Sequence, residues 1–210
     1  MAVADNIKKV GINETDLWAA FKEGDVNAYE QIYTIYYRQL YNYAHKYSSD
    51  KELINDLIHD LFIKIWSNKL SLGNPPSVKN YLFKSFRSHL FNHLRDTKDH
   101  ASGTAEELES LNVFTLEVKP SPEADLIARE KAHHVNRLIS NAIGQLTDRQ
   151  REAIYLKYYE GFSYPEIAEI MGLSVKAAYK LIARAITALR EHAGNRPVIL
   201  FLAMFRRIIV

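Results

Sequence analysis

The side chains best placed to do chemistry in this chain are cations, and the chemistry they suit is neutralising phosphate. Lys176, Lys180, Ala183 and Thr187 share one face of any helix through them, with Tyr179 and Arg184 on its flanks and Ser174 just ahead. A basic face with short side chains at its centre enters a DNA major groove without clashing. The bland alternative is an amphipathic hairpin whose lysines are merely solvated. A second set, Lys79, Asn80, Lys84 and Arg87, is interleaved with Tyr81, Phe86 and Phe91. Cations that track phosphates beside rings that stack on bases suit single-stranded DNA. A third set is acidic: Asp56, His59, Asp60 and Ile63 fall at i, i+3, i+4 and i+7, on one helix face. That face suits a basic partner, or is simply solvated. It is a poor metal site, since one histidine and two aspartates lack further ligands. His89 and His93 have the spacing of a metal pair but no intervening zincin glutamate and no third ligand, so they read as ordinary histidines. No Gly-rich phosphate loop, nucleophile elbow or pair of catalytic carboxylates appears, so neither an enzyme nor a cofactor is expected.

The elements that must position the first set are legible between Ser163 and Glu191. Ser163 and Glu166 have the spacing of a capping box, and Ile167, Ala168, Ile170 and Met171 give a short helix its apolar side. Gly172 is the residue to end it in a left-handed conformation, and Leu173 is expected to plug the core beneath the turn. Ser174 then caps a longer helix with Ala178, Leu181, Ile182, Ala185 and Leu189 as its buried stripe. Two helices joined by so short a turn make a helix-turn-helix.

The rest of the chain reads as helix too, with apolar periods near 3.6 and no strand-like alternation. Asn13 or Thr15 caps a first helix holding Leu17, Trp18 and Phe21, which Gly24 ends. Asp25 caps a longer one whose face runs through Tyr29, Ile32, Tyr33, Tyr36, Leu40, Tyr43, Ala44 and Tyr47, read as core. Ser49 and Glu52 predict a capping box for a helix through Trp66, buried along Leu53, Ile54, Leu57, Ile58, Leu61 and Ile65. A loop with Gly73, Pro75 and Pro76 follows, then a helix from near Ser77 to about Arg95. Residues 97–120 read as a linker with a short helix around Ala105–Leu111. Ser121-Pro122-Glu123 starts a helix that continues to Gly144 or Leu146 along Ala128, Ala132, Val135, Ile139, Ala142 and Leu146. Thr147 and Gln150 open another, with Ile154, Tyr155 and Tyr158, that stops at Gly161. The expectation is an all-α chain of two small domains, 13–96 and 121–192, with an apolar tail over 193–210. That tail folds back on its own module or waits for a protein to cover it.

The 210 residues, 47% hydrophobic and 25% charged, suit such a globular pair. A net charge of +2 does not announce a nucleic-acid partner, but its distribution is informative. Five basic residues against two acidic ones lie between Pro76 and His100, and seven acidic against two basic between Thr104 and Glu130. Two basic modules thus flank an acidic connector. With no cysteine there are no disulfides or thiolate sites. The N-terminus lacks the apolar run of a signal peptide, and Val198–Phe205 is far shorter than the ~20 residues of a membrane span. The expected location is cytoplasmic, with no membrane insertion.

In this order, AYEQIYTIYYRQLYNYA and DLIHDLFIKIW, then LTDRQREAIYLKYYEGFSYPEIAEIMGLSVKAAYKLIARAITALR, the chain resembles bacterial RNA polymerase sigma factors of the extracytoplasmic-function (ECF) group, which keep regions 2 and 4. Its tyrosine-rich character resembles the iron-uptake type of Bacteroidetes-like bacteria. The resemblance implies two helical domains without enzymatic activity, and core RNA polymerase (β′ clamp and β flap), promoter DNA and an anti-sigma factor as partners. It implies that Asp56, His59, Asp60 and Ile63 dock on the clamp, where most relatives have Gln-Glu in place of His59-Asp60. It implies that the loop 70–80 with Lys79, Asn80, Lys84 and Arg87 captures an unpaired base of the −10 element. Ser174, Lys176, Tyr179, Lys180 and Arg184 would read the −35 element. Relatives commonly carry a β-branched residue where Ala178 stands. The competing reading is a dimeric helix-turn-helix regulator on duplex DNA. Such regulators usually carry an α/β domain in front, and the N-terminal half shows no βα alternation.

Overall fold

The computed structural model describes residues 13–96 and 137–194, and all their regular elements are helical. The chain divides into two compact units. The first is built on α1 (Glu14–Lys22), α2 (Val26–Ala44), α3 (Lys51–Ser67), a 3₁₀ turn at Lys69–Ser71, and α4 (Val78–Asp96). The second is built on α5 (137–144), α6 (Asp148–Ile154), which runs on as a π-helical turn at Tyr155–Tyr159, α7 (Tyr164–Met171) and α8 (Val175–Ala193). The expected linker, its short helix, the start at Ser121 and the apolar tail lie outside the described residues. No helix among the described residues is long and apolar enough to cross a membrane.

Local chemistry sets the helix starts of the first unit. Asn13 accepts from the Thr15 N–H, and Asp25 from those of Asn27 and Ala28, satisfying donors that have no intrahelical partner. The cap of α3 is a correction: Asp50, not Ser49, holds the position, its Oδ1 accepting from the Leu53 N–H at 3.1 Å. The carboxylate of Asp50 is an N-cap acceptor as good as a hydroxyl, and Ser48 Oγ fixes it by accepting from its N–H. Helix α2 packs on α1, α3 and α4 around an aromatic core. Phe21, Phe62, Phe83, Phe86 and Tyr43 are almost fully buried. Burying each contributes about 2–3 kcal/mol. The tyrosine face of α2 is only partly core: Tyr36 and Tyr43 are buried, whereas Tyr29 and Tyr33 keep an edge in solvent, as does Tyr47 in the turn beyond the end of the helix. Leu53 of α3 is likewise half-buried, and Phe62 takes a core place that the stripe did not include.

In the second unit Ile139, Ala142 and Leu146 are buried as expected, with Ile143 beside them. Thr147 and Gln150 complete their capping box reciprocally. The helix it opens does not stay α-helical to Gly161. From Tyr155 it widens, with the Glu160 N–H reaching back five residues to the Tyr155 carbonyl. Tyr155 is buried and Tyr158 half-buried.

Candidate functional site

The helix-turn-helix is assembled by contacts that its sequence spelled out. Glu166 accepts from the Ser163 N–H at 2.8 Å, and Ser163 Oγ accepts from the Glu166 N–H at 3.4 Å. Gly172 ends α7 at φ +64°, and the Leu173 N–H donates to the Ala168 carbonyl at 2.8 Å, closing the turn. Leu173 is half-buried rather than a full core plug. Ser174 Oγ accepts from the Ala177 N–H at 3.2 Å and so caps α8. Ala178, Ile182, Ala185 and Leu189 are buried, with Leu181 at the margin. Helix α8 packs on α6, and the small side chains of Ala178 and Ala185 are fully buried.

What remains outside is the basic face: Lys176, Lys180 and Arg184 are exposed, as is Ala183 between them. Tyr179 is 51% exposed. Its ring stacks on Tyr164 with centroids 3.7 Å apart and planes 17° from parallel, and Lys157 sits over Tyr164 at 4.6 Å. This layered arrangement fixes an exposed ring that a free tyrosine would swing. Tyr164 was not singled out from the sequence. Its position at the first turn of α7 says nothing of the ring it meets fifteen residues on.

In the first unit the loop after α3 is tied down at several points. Trp18 donates its indole N–H to the Gly73 carbonyl at 3.0 Å, and Lys22 donates to Asn74 at 3.0 Å. Lys69 lies over the Trp66 ring at 4.3 Å and donates to its carbonyl. At the tip, Leu70 is 84% exposed. Ser77 Oγ accepts from the Asn80 N–H at 3.1 Å and starts α4. Lys84 is exposed, and Lys79 and Asn80 are half-buried, Lys79 reaching over Phe83. Arg87 departs from the expected exposed set. It is 9% exposed, its guanidinium 4.3 Å from the centre of the Phe91 ring. The i+3 step from Lys84 turns it toward the core margin, where an aromatic face replaces water around the cation. Trp18 of α1, edge-on to Tyr81 at 5.5 Å, is the residue holding this loop that sequence reasoning placed only in the core.

On α3, Asp56, His59, Asp60 and Ile63 are all exposed on one face, Ile63 at 60%. The His59 ring stacks on Tyr33 at 6.0 Å. Asp60 Oδ2 lies 3.9 Å from His89 Nε2 of α4. Burial pushes the His89 pKa below its ordinary value, Asp60 pulling it up and Lys64 and His93 pushing it down. Among the described residues no group of acidic, histidine or cysteine side chains could hold a metal ion. The three faces present charge, aromatic rings and shape to solvent.

Comparison with known proteins adds independent findings. Residues 32–100 match the family model for sigma-70 region 2, and residues 136–189 the model for sigma-70 region 4. The chain is similar to the RNA polymerase sigma factor YlaC of Bacillus subtilis, 24% identical over 163 residues, covering 78% of this chain and 90% of that protein. It is also similar to the ECF RNA polymerase sigma factor SigW of Bacillus subtilis, 25% identical over 174 residues, covering 81% and 91%. Its fold is similar to that of the sigma factor RpoE of Bartonella quintana, solved in complex with the anti-sigma factor NepR. That likeness has a TM-score of 0.55 and 23% identity, covering 79% of this chain and 96% of that one.

Proposed function

We propose how this chain acts from the premise that it belongs to the extracytoplasmic-function group of sigma-70 RNA polymerase sigma factors. It binds core RNA polymerase and directs it to promoters through the −10 and −35 elements, and performs no chemistry itself. The observation that carries this is the pairing of region 2 with region 4 in one chain, in that order. A stand-alone helix-turn-helix regulator has no use for the first.

The residue roles follow from the faces. The exposed Asp56, Asp60 and Ile63 dock on the β′ clamp, with His59 beside them. The tethered segment 70–80 presents Leu70 on the loop and Lys79 and Asn80 at the head of α4, and α4 presents Lys84 one turn on, to an unpaired base of the −10 strand and its phosphates. Trapping flipped bases there offsets the few kcal/mol of unstacking per base. Arg87 acts one layer beneath, shaping the Phe91 side of α4 rather than touching DNA. In the second unit α8 enters the −35 major groove with Lys176, Lys180, Arg184 and the stacked Tyr179, while Ser174 holds its start. The β flap receives that unit on the polymerase. Residues 97–120 serve as the tether between domains 13–96 and 121–192, in the cytoplasm where polymerase works, and an anti-sigma factor holds the chain inactive. The half-exposed tyrosines of α2 support the finer placement in the iron-uptake type. Promoters mapped to genes unrelated to iron would count against it.

The test is reconstitution. Bacterial core polymerase supplied with this chain should initiate specifically from a subset of a promoter library, and no specific initiation would remove the reading. Asp60→Lys should weaken core binding by on the order of tenfold with the fold intact.

A further inference from the structure

The tyrosines of α2 divide in a way that the roles above leave unused. Tyr36 and Tyr43 fill the core. Tyr33, Tyr37 and Tyr41, at i, i+4 and i+8, stay half-exposed and form a ladder on the flank of the helix that faces α3. Ring centroids are 5.4 Å apart from Tyr33 to Tyr37 and 6.1 Å from Tyr37 to Tyr41, each pair inclined by 30°. His45 adds a fourth ring 6.0 Å beyond Tyr41. Tyr33 packs edge-on against the buried Phe62 at 4.8 Å, but at Tyr37 and Tyr41 a solvent-side row needs no aromatics for folding, and glutamate, lysine or glutamine would serve the helix better. A contiguous aromatic row at a surface marks an interaction site.

Two contacts join this ladder to the acidic face of α3. The His59 ring lies on Tyr33, and the Tyr37 hydroxyl donates to Asn55 Oδ1 at 2.7 Å. The rings therefore adjoin Asn55 and His59, which share α3 with the exposed Asp56, Asp60 and Ile63.

We propose that Tyr33, Tyr37 and Tyr41 are part of the surface that grips core polymerase, and that they take arginine guanidinium groups of the clamp by stacking. This rests on the reading of the α3 face as the docking site. The carboxylates of Asp56 and Asp60 select a cationic partner. Of the two common cations, arginine is the one whose planar head stacks on rings. Rings already held by their neighbours lose little freedom on binding. Single-stranded promoter DNA would also stack on tyrosines, but its phosphates would meet Asp56 and Asp60 and be repelled.

The experiment measures affinity of the full chain for core polymerase, with thermal melting as the check on folding. Tyr37→Ser with Tyr41→Ser should weaken binding by about tenfold, while the corresponding Phe pair, which keeps the ring faces, should stay within about twofold. Tyr41→Arg, a single change at the outer part of the ladder, sets a cation where the partner's cation belongs and should weaken binding at least as much as the Ser pair. If the Ser pair and Tyr41→Arg bind like the parent while Asp60→Lys does not, the ladder is no docking surface and the α3 reading survives. If Asp60→Lys also binds like the parent, the docking reading fails and takes the proposal with it. Variants that bind core normally but lose open promoter DNA would give the ladder to nucleic acid and overturn the proposal.

Discussion

His89 links the first unit's stability to pH. Burial dominates its environment, and its pKa lies below the ordinary 6.5 despite Asp60 nearby. The folded state therefore favours the neutral ring. The stability this contributes is present above pH 6.5 and is lost as pH falls through the lower folded value. We expect the melting temperature to fall between about pH 7.5 and about pH 5, with a shallower fall for His89→Gln. Equal slopes for the two proteins would assign the effect elsewhere. Most of the candidate side chains were legible from spacing alone, because exposure of Asp56, Asp60, Lys176 and Lys180 follows directly from helical period. Arg87 was not. It stands three residues after the exposed Lys84, and a guanidinium can lie over the Phe91 ring and be largely buried without losing its charge. Charge type predicted solvent, and the ring decided otherwise.

Helix ends were readable wherever a side chain must satisfy an orphan N–H, as at Asp25, Thr147, Ser163 and Ser174. They were ambiguous where two acceptors compete, and the Asp50 carboxylate took the place assigned to Ser49. The π-helical turn at Tyr155–Tyr159 was invisible, since five-residue hydrogen bonding leaves no mark in the apolar pattern. Tyr155 and Tyr159 stack there at 4.7 Å, a contact that spacing predicts equally for an α-helix. The turn of the helix-turn-helix offers a cleaner test. Gly172 has φ +64°, and a Cβ there would meet nothing within 4 Å. Any cost of substitution is then backbone strain, not crowding. Gly172→Ala should destabilise the second unit by about 1 kcal/mol in chemical denaturation, and Gly172→Asn by less. Equal stability of all three would exclude a strained turn.

Across the whole molecule, charge is arranged by face rather than in bulk. A net +2 coexists with an acidic face on α3 and a basic face on α8. With few phosphates to neutralise, the chain alone should hold −35 duplex weakly and with a shallow dependence on salt, and tightly only when polymerase delivers it. Lys176→Gln with Lys180→Gln should lower the slope of log affinity against log salt by about two, while leaving core affinity unchanged. An unchanged slope would remove α8 from the groove. The pairing of the two units was readable because two motifs stood in order, whereas of the tyrosine ladder only Tyr33 stood in the stripe read as core, and Tyr37 and Tyr41 fell outside it. The tethered loop has a spectroscopic consequence. The chain's two tryptophans, Trp18 and Trp66, both adjoin it, one bonded to Gly73 and the other beneath Lys69. Indole emission is therefore a built-in reporter of the first unit, and under the proposed −10 reading it should respond when a base is captured at the loop.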